Sequence, residues 1–252
     1  MGYRTFIREQ IALGKMPYMD KVNLIGLNAA ITTSAETVST PSSTYAQLTT
    51  AVAIEAVSGS ANDTSNGTGA RTIRITYLDS NYKTVSADVT MNGATPVAIG
   101  TAMAVNSAYV LTAGSGLVNA GAIDIRAVSG GAIKRQIAAS AGRSQDFIYT
   151  IPAGCVGLMC PIHMTASGVT GTFIGQLLTK DSSGIIRVES RVDVGISNTS
   201  ITPVDVVMDL GTGLLIPEKT LLELQATTST GAGIVSATGE LLIIDSKNNG
   251  VI

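Results

Sequence analysis

The chain of 252 residues contains no Trp, three Phe and seven Tyr, so aromatic residues make up only 4% of it. A core without large rings must be assembled from Val, Ile, Leu and Ala, with Met as gap filler. The missing Trp also removes the usual stacking platform for sugar substrates. There is one histidine, His163. Nucleophilic catalysis with a histidine base would have to use it, yet it lies between Ile162 and Met164 with no G-x-S-x-G motif nearby. The two cysteines, Cys155 and Cys160, stand in an apolar C-x4-C segment. Zinc needs about four ligands and only His163 is close, so the pair reads as two small, reduced hydrophobes on a strand.

Charge is scarce as well. Charged residues are 13% of the chain and the net charge is −2. The basic residues are scattered, Lys134-Arg135 being the densest pair, which excludes the clustered cationic field that phosphate backbones require. A surface so poor in charge is expected to be partly covered by other subunits. No apolar run approaches the roughly 20 residues of a membrane span, and the N-terminal stretch lacks the apolar region of a signal peptide. These absences lead to the expectation of a soluble protein made in a cytoplasm, with no nucleic-acid or membrane partner. Among the 18 acidic residues, no two stand out as a glycosidase pair. Asp63, Asp79 and Asp181 fall in loops without a calcium-binding repeat. Gly130-Gly131 lacks the strand–loop–helix setting of a phosphate cradle. The expectation is a non-enzymatic protein with no catalytic residue, cofactor or metal.

What the chain does have is glycine, 27 of them, and β alternation. The organising stretch is 58–91. A loop rich in Gly, Ser, Asn and Thr leads into Arg71-Thr-Ile-Arg-Ile-Thr-Tyr-Leu78, a polar turn, and Val85-Ser-Ala-Asp-Val-Thr-Met91. Successive strand residues point to opposite faces, so Ile73, Ile75 and Tyr77 share one face, and Val85, Ala87, Val89 and Met91 share another. The spacing predicts an antiparallel hairpin with one wet side. Further strands follow at 49–57, 109–112 and 122–126, with 99–105 either a strand or one helical turn. Residues 127–143, with Gly130-Gly131 and the basic pair, read as a junction. Beyond it, 147–151, 155–166, 172–180, 184–194, 201–210, 222–227 and 234–245 read as strands. In 184–194 the alternation puts Val188, Val192 and Val194 on one face and Arg187, Glu189, Arg191 and Asp193 on a solvated one.

The predicted fold class is therefore all-β: two antiparallel β-sandwich or jelly-roll-like domains, at 49–143 and 144–252. Residues 1–48 are expected to be an extended N-terminal arm and linker. The apolar side chains Tyr3, Phe6, Ile7, Ile11, Leu13, Met16, Tyr18 and Met19 mark a candidate docking arm, either strapped onto its own domain or placed on a neighbouring subunit.

At Val57-Ser-Gly-Ser-Ala-Asn-Asp-Thr-Ser-Asn-Gly-Thr-Gly-Ala-Arg-Thr-Ile-Arg-Ile-Thr-Tyr-Leu-Asp79 the sequence resembles a segment common in the virion structural proteins of tailed bacteriophages. The resemblance continues through Val89-Thr-Met-Asn-Gly-Ala-Thr-Pro-Val97, Thr112-Ala-Gly-Ser-Gly116 and Asn119-Ala-Gly-Ala-Ile-Asp-Ile-Arg126. Ile151-Pro-Ala-Gly154 and Ile216-Pro-Glu-Lys219 resemble corners in the same class. It implies a virion component assembled in the host cytoplasm and carries over no catalytic residue. Within that class the expected role is capsid decoration or cement, a minor head protein, with a tail, baseplate or fibre-attachment protein as the alternative. The implied partners are the major capsid protein and further copies of the chain, a trimer among the options. A carbohydrate-binding β-sandwich module is the alternative from a different class.

Overall fold

A computed structural model of the chain describes residues 10–11, 13–40, 45–196, 203–230 and 233–246. The first strands are β1 (Met19–Ile31), β2 (Glu36–Thr37), β3 (Val52–Ser58), β4 (Ala70–Leu78), β5 (Thr84–Thr90) and β6 (Val97–Ala102). Then come β7 (Ala104–Ala113), β8 (Ile123–Ala127), β9 (Ile133–Ile137), β10 (Ile148–Thr150), β11 (Cys155–Ser167) and β12 (Thr170–Lys180). The last are β13 (Ile186–Ile196), β14 (Val204–Met208), β15 (Leu214–Ile216), β16 (Leu221–Thr230) and β17 (Gly233–Asp245). All the strand pairings are antiparallel.

The first sandwich packs the sheet β6-β3-β8-β9 on the sheet β5-β4-β7. Its hairpin has the register that the alternation predicts: Ile73 opposite Val89, Ile75 opposite Ala87 and Tyr77 opposite Val85. Ile73, Ile75 and Tyr77 are buried, while Arg74 and Asp88 pair on the wet side. Residues 99–105 are strand apart from Met103: β6 runs almost directly into β7, and the chain crosses from one sheet to the other at that residue. Tyr77 is the one aromatic ring of this core. It fits because Gly100 lies opposite, where an added Cβ would come within 2.5 Å of the Tyr77 hydroxyl.

The second sandwich packs the sheet β1-β17-β11-β14, with β15 also on β11, against the sheet β10-β16-β12-β13, with β2 on β16. Its core gathers Phe147 and Phe173 with Met159, Met164, Leu222, Leu224 and Leu241. Here the structure departs from the expectation for 1–48. Residues 19–31 are a full strand, paired with β17 from Met19–Ile244 to Asn28–Val235. Leu24, Ile31 and Val38 are core residues. The first sandwich is thus inserted between β2 and β10 of the second. The reason lies in the inward positions of β1. Leu24, Gly26 and Asn28 are buried while Ile25 and Leu27 are only half-buried, so apolarity along the strand does not follow its period. Asn28 is tolerated inside because its amide donates to the Thr37 carbonyl and to Glu36 while its oxygen accepts the Ala30 N–H. Gly26 is required because a Cβ there would sit 2.5 Å from the Val38 oxygen and 2.8 Å from the Phe147 Cβ.

Two further differences have local causes. Residues 127–143, read as a junction, contain β9, the fourth strand of its sheet. Both Lys134 and Arg135 are buried on it. In β13 a bulge between Leu177 and Leu178 of β12 leaves Glu189 without an opposite residue and reverses the alternation. Val192 and Val194 therefore pack on the core, whereas Val188 is 56% exposed and leaves the face it was expected to share with them.

Candidate interaction surfaces

The residues whose chemistry could have signalled catalysis or metal binding are engaged in the scaffold. Asp63 is fully buried and accepts hydrogen bonds from the Ser58 hydroxyl and the Ala70, Ala120 and Gly121 N–H groups. Burial pushes its carboxyl up, but the Ser58 hydroxyl and the three N–H groups outweigh that and hold it below the ordinary carboxylate range. It ties the 58–70 loop to 119–121 and has little capacity left for a cation. Asp79 accepts the Asn81 and Lys83 N–H groups at a turn. Asp181 accepts those of Ser183 and Ile185 and pairs with Arg187. Among the described residues no cluster of His, Cys, Asp and Glu could hold a metal ion.

His163 is exposed on the outer face of β11, between Val207 of β14 and Thr238 of β17. Cys155 and Cys160 lie on the same strand without a disulfide between them, Cys155 half-buried and Cys160 buried. Burial, followed by the nearby Asp245, Asp20 and Glu218 charges, raises the Cys155 thiol above its ordinary value. A thiol held protonated in this way is a weak nucleophile.

The expected docking arm is divided. Tyr3, Phe6 and Ile7 lie outside the described residues. Ile11 is buried, Leu13 and Tyr18 are exposed at 63% and 53%, Met16 is half-buried, and Met19 opens β1. Tyr18 has a positive φ of 66°, and its carbonyl accepts the Asp245 N–H, so the chain bends and is pinned where the strand begins. The structure gathers the described members of this set into no common patch.

Bare aliphatic side chains occur elsewhere. Ile185, Ile186 and Val188 are more than half exposed at the start of β13, which ends its sheet. Val207 and Leu215 are similarly exposed on β14 and β15, the short strands along the far edge of the other sheet. Sheet edges that carry aliphatic side chains and unpaired backbone groups are ready for pairing with another chain. The β12–β13 connection, where Asp181 caps a tight turn, projects the first of these patches.

The two sandwiches meet in a polar joint that the sequence did not reveal. Asn106 of β7 exchanges two hydrogen bonds with the Thr150 backbone of β10, at 2.9 and 3.0 Å. Beside them Arg135 of β9 donates to the Ile148 carbonyl, faces Asp146 at 3.6 Å and lies 5.6 Å from the centre of the Tyr45 ring. A second contact of the sandwiches leaves a groove of about 570 Å³ between β1 and β7, floored by 141–144. In the sequence the joint was signalled by the adjacent Lys134 and Arg135, of which Arg135 is buried against Ile148 and Asp146.

No protein-family model matches the chain, and no curated protein is similar to it. Among solved structures, the chain is similar to the structure of infectious bursal disease virus, Gt strain, at 15% identity and a TM-score of 0.28, covering 96% of this chain and 78% of that one. The Gx strain structure gives 13% identity and a TM-score of 0.23, covering 92% and 73%. The crystal structure of the VP2 subviral particle of the same virus gives 12% and 0.24, covering 92% and 74%. TM-scores this low fall short of a shared fold.

Proposed function

We propose that the chain is a non-enzymatic structural component of a tailed-phage virion, a decoration or cement protein of the head that binds the major capsid protein and neighbouring copies. The observation that carries this reading is the division of labour among side chains. Groups with chemical potential, such as Asp63 and Asp181, are consumed in tying loops and turns, while aliphatic residues stay bare on sheet edges. That is the pattern of a rigid body built to be covered. The resemblance of 52–127 to phage virion proteins gives it a setting. In this reading residues 1–15 form the docking arm, with Tyr3, Phe6 and Ile7 as its anchors, and the aliphatic edges at β13 and β14 supply the contacts between subunits. A tail, baseplate or fibre-attachment position uses the same features and is the competing placement.

The test is the position of the chain in purified particles, labelled through the 58–70 loop. Labels spread over the head support decoration; labels at one vertex or on the tail sink it in favour of the competing placement. Removing 1–9, which spares the buried Ile11, is then expected to abolish particle binding while leaving both sandwiches folded. The cut must stop short of β1, because Leu24 and Ile31 belong to the second core.

A further inference from the structure

Asp146 and Arg135 form a buried ion pair that is poorly made. Their side chains are 4% and 1% exposed, yet Asp146 Oδ2 and Arg135 Nε stand 3.6 Å apart, too far for a hydrogen bond. Arg135 Nε and Nη1 and Asp146 Oδ2 are buried without a hydrogen-bond partner. Glu223 of β16 lies nearby, also buried, accepting the Thr37 hydroxyl at 2.6 Å and the Gln225 amide at 2.9 Å. Its field reaches Tyr45, as do those of Arg135 and Asp146. The other groups facing this cluster are the Thr40 N–H and Ser144 hydroxyl on Asp146, Lys180 towards Glu223, and Lys134 beside Arg135. A cavity of about 280 Å³ adjoins it, bounded by Thr40, Tyr45, Lys134, Arg135, Asp146 and Ile148.

We propose that this joint is a proton-operated latch between the two sandwiches, in which Asp146 takes up a proton as it closes because the Arg135 guanidinium stands too far off to hold it as a carboxylate. A carboxylate in a dry site is favoured neutral unless its partners are close and well aligned. Burial raises Asp146 to about 6 against the opposing pull of Arg135, the Thr40 N–H and the Ser144 hydroxyl. Burial likewise raises Glu223 in spite of Thr37 and Gln225. Opening the joint returns the Asp146 carboxyl to water and to its ordinary value near 4. The closed form therefore binds more protons than the open form between about pH 4 and pH 6, and mild acid tightens the latch. The Asn106–Thr150 clasp does not titrate and sets the geometry at every pH.

The test is hydrogen exchange of the full-length chain at about pH 7.5 and about pH 5, corrected for intrinsic rates. Protection of the peptides around 134–150 and 221–225 is expected to rise about tenfold at the lower pH, while that of 73–77 inside the first sandwich stays level. Asp146→Asn is expected to remove most of this response. Protection that does not change with pH in the natural chain, or a full response that survives Asp146→Asn, overturns the latch. Should that variant fail to fold, the carboxyl carbon resonance of Asp146 in the natural chain decides: a midpoint near about 4 overturns it, and a midpoint well above supports it.

Discussion

The two sandwiches reach similar architectures by different routes. The first is one uninterrupted stretch, β3 to β9, in which β4–β5 and β8–β9 pair as sequence neighbours while β3–β6, β3–β8 and β4–β7 pair across intervening strands of the same stretch. The second is assembled from both sides of that insertion, with β1 and β2 arriving from the N-terminal side to pair with β17 and β16. Their buried carboxylates differ in the same way. Asp63 lies within one sandwich and is met by four donors, three of them backbone N–H groups of the surrounding loops. Asp146 lies where the two bodies meet, and one of its oxygens is left with a distant guanidinium. A segment folding on itself can place every donor, because short loops adjust independently. A contact between two separately packed bodies takes whatever geometry both cores allow.

The sharpest way to break the comparison is to remove the well-made carboxylate. Asp63→Ala leaves the buried Ala70 N–H and the Ala120 and Gly121 N–H groups without their acceptor and is expected to cost the first sandwich about 2–4 kcal/mol by urea denaturation. The 58–70 loop should lose its exchange protection at the same time. Next in size is Gly26→Ala, which forces a Cβ against the Val38 carbonyl and Phe147. It should destabilise the second sandwich by about 1–3 kcal/mol and leave exchange in β4 untouched. A chain in which both sandwiches weaken together would show that they unfold as one unit.

The pH dependence separates the two carboxylates by sign. Asp63 has a lowered pKa when folded, so its contribution is complete above its unfolded value near about 4 and is lost as pH falls through the lower folded value. Asp146, raised to about 6, acts in the opposite sense: stability falls as pH climbs from about 4 towards 6. Urea midpoints of Asp146→Asn are accordingly expected to be flatter than those of the natural chain between these limits, and those of Asp63→Asn flatter below them. The smallest effect belongs to the Arg74–Asp88 pair, which is well formed but stands in solvent. Arg74→Ala is expected to leave the urea midpoint unchanged within error, since exposed pairs are screened.

Legibility followed locality. The β4–β5 hairpin was readable because its inward positions, Ile73, Ile75 and Tyr77, are all apolar and its partner follows after a short turn. The face of β13 was misread because a bulge is set by pairing with β12, and no residue of β13 itself announces it. β1 was hidden for a related reason. Its inward Gly26 and Asn28 make sense only beside Phe147 and Thr37, which arrive from elsewhere in the chain. Of the candidate sites, the arm could be proposed from its apolar composition, whereas the aliphatic patches at β13, β14 and β15 emerged once the sheet edges were known.

The sequence by itself determined the fold class: few aromatics, abundant glycine and period-two alternation permit strands and turns. Those properties are local, written in residues adjacent along the chain. The tertiary structure alone decided that β1 and β2 complete the C-terminal sandwich, and that Arg135 and Asp146 meet in a dry joint. Both depend on pairing and burial between distant segments, where the free energy of an inward Gly, Asn or Arg is set by the residue it faces rather than by its neighbours in sequence.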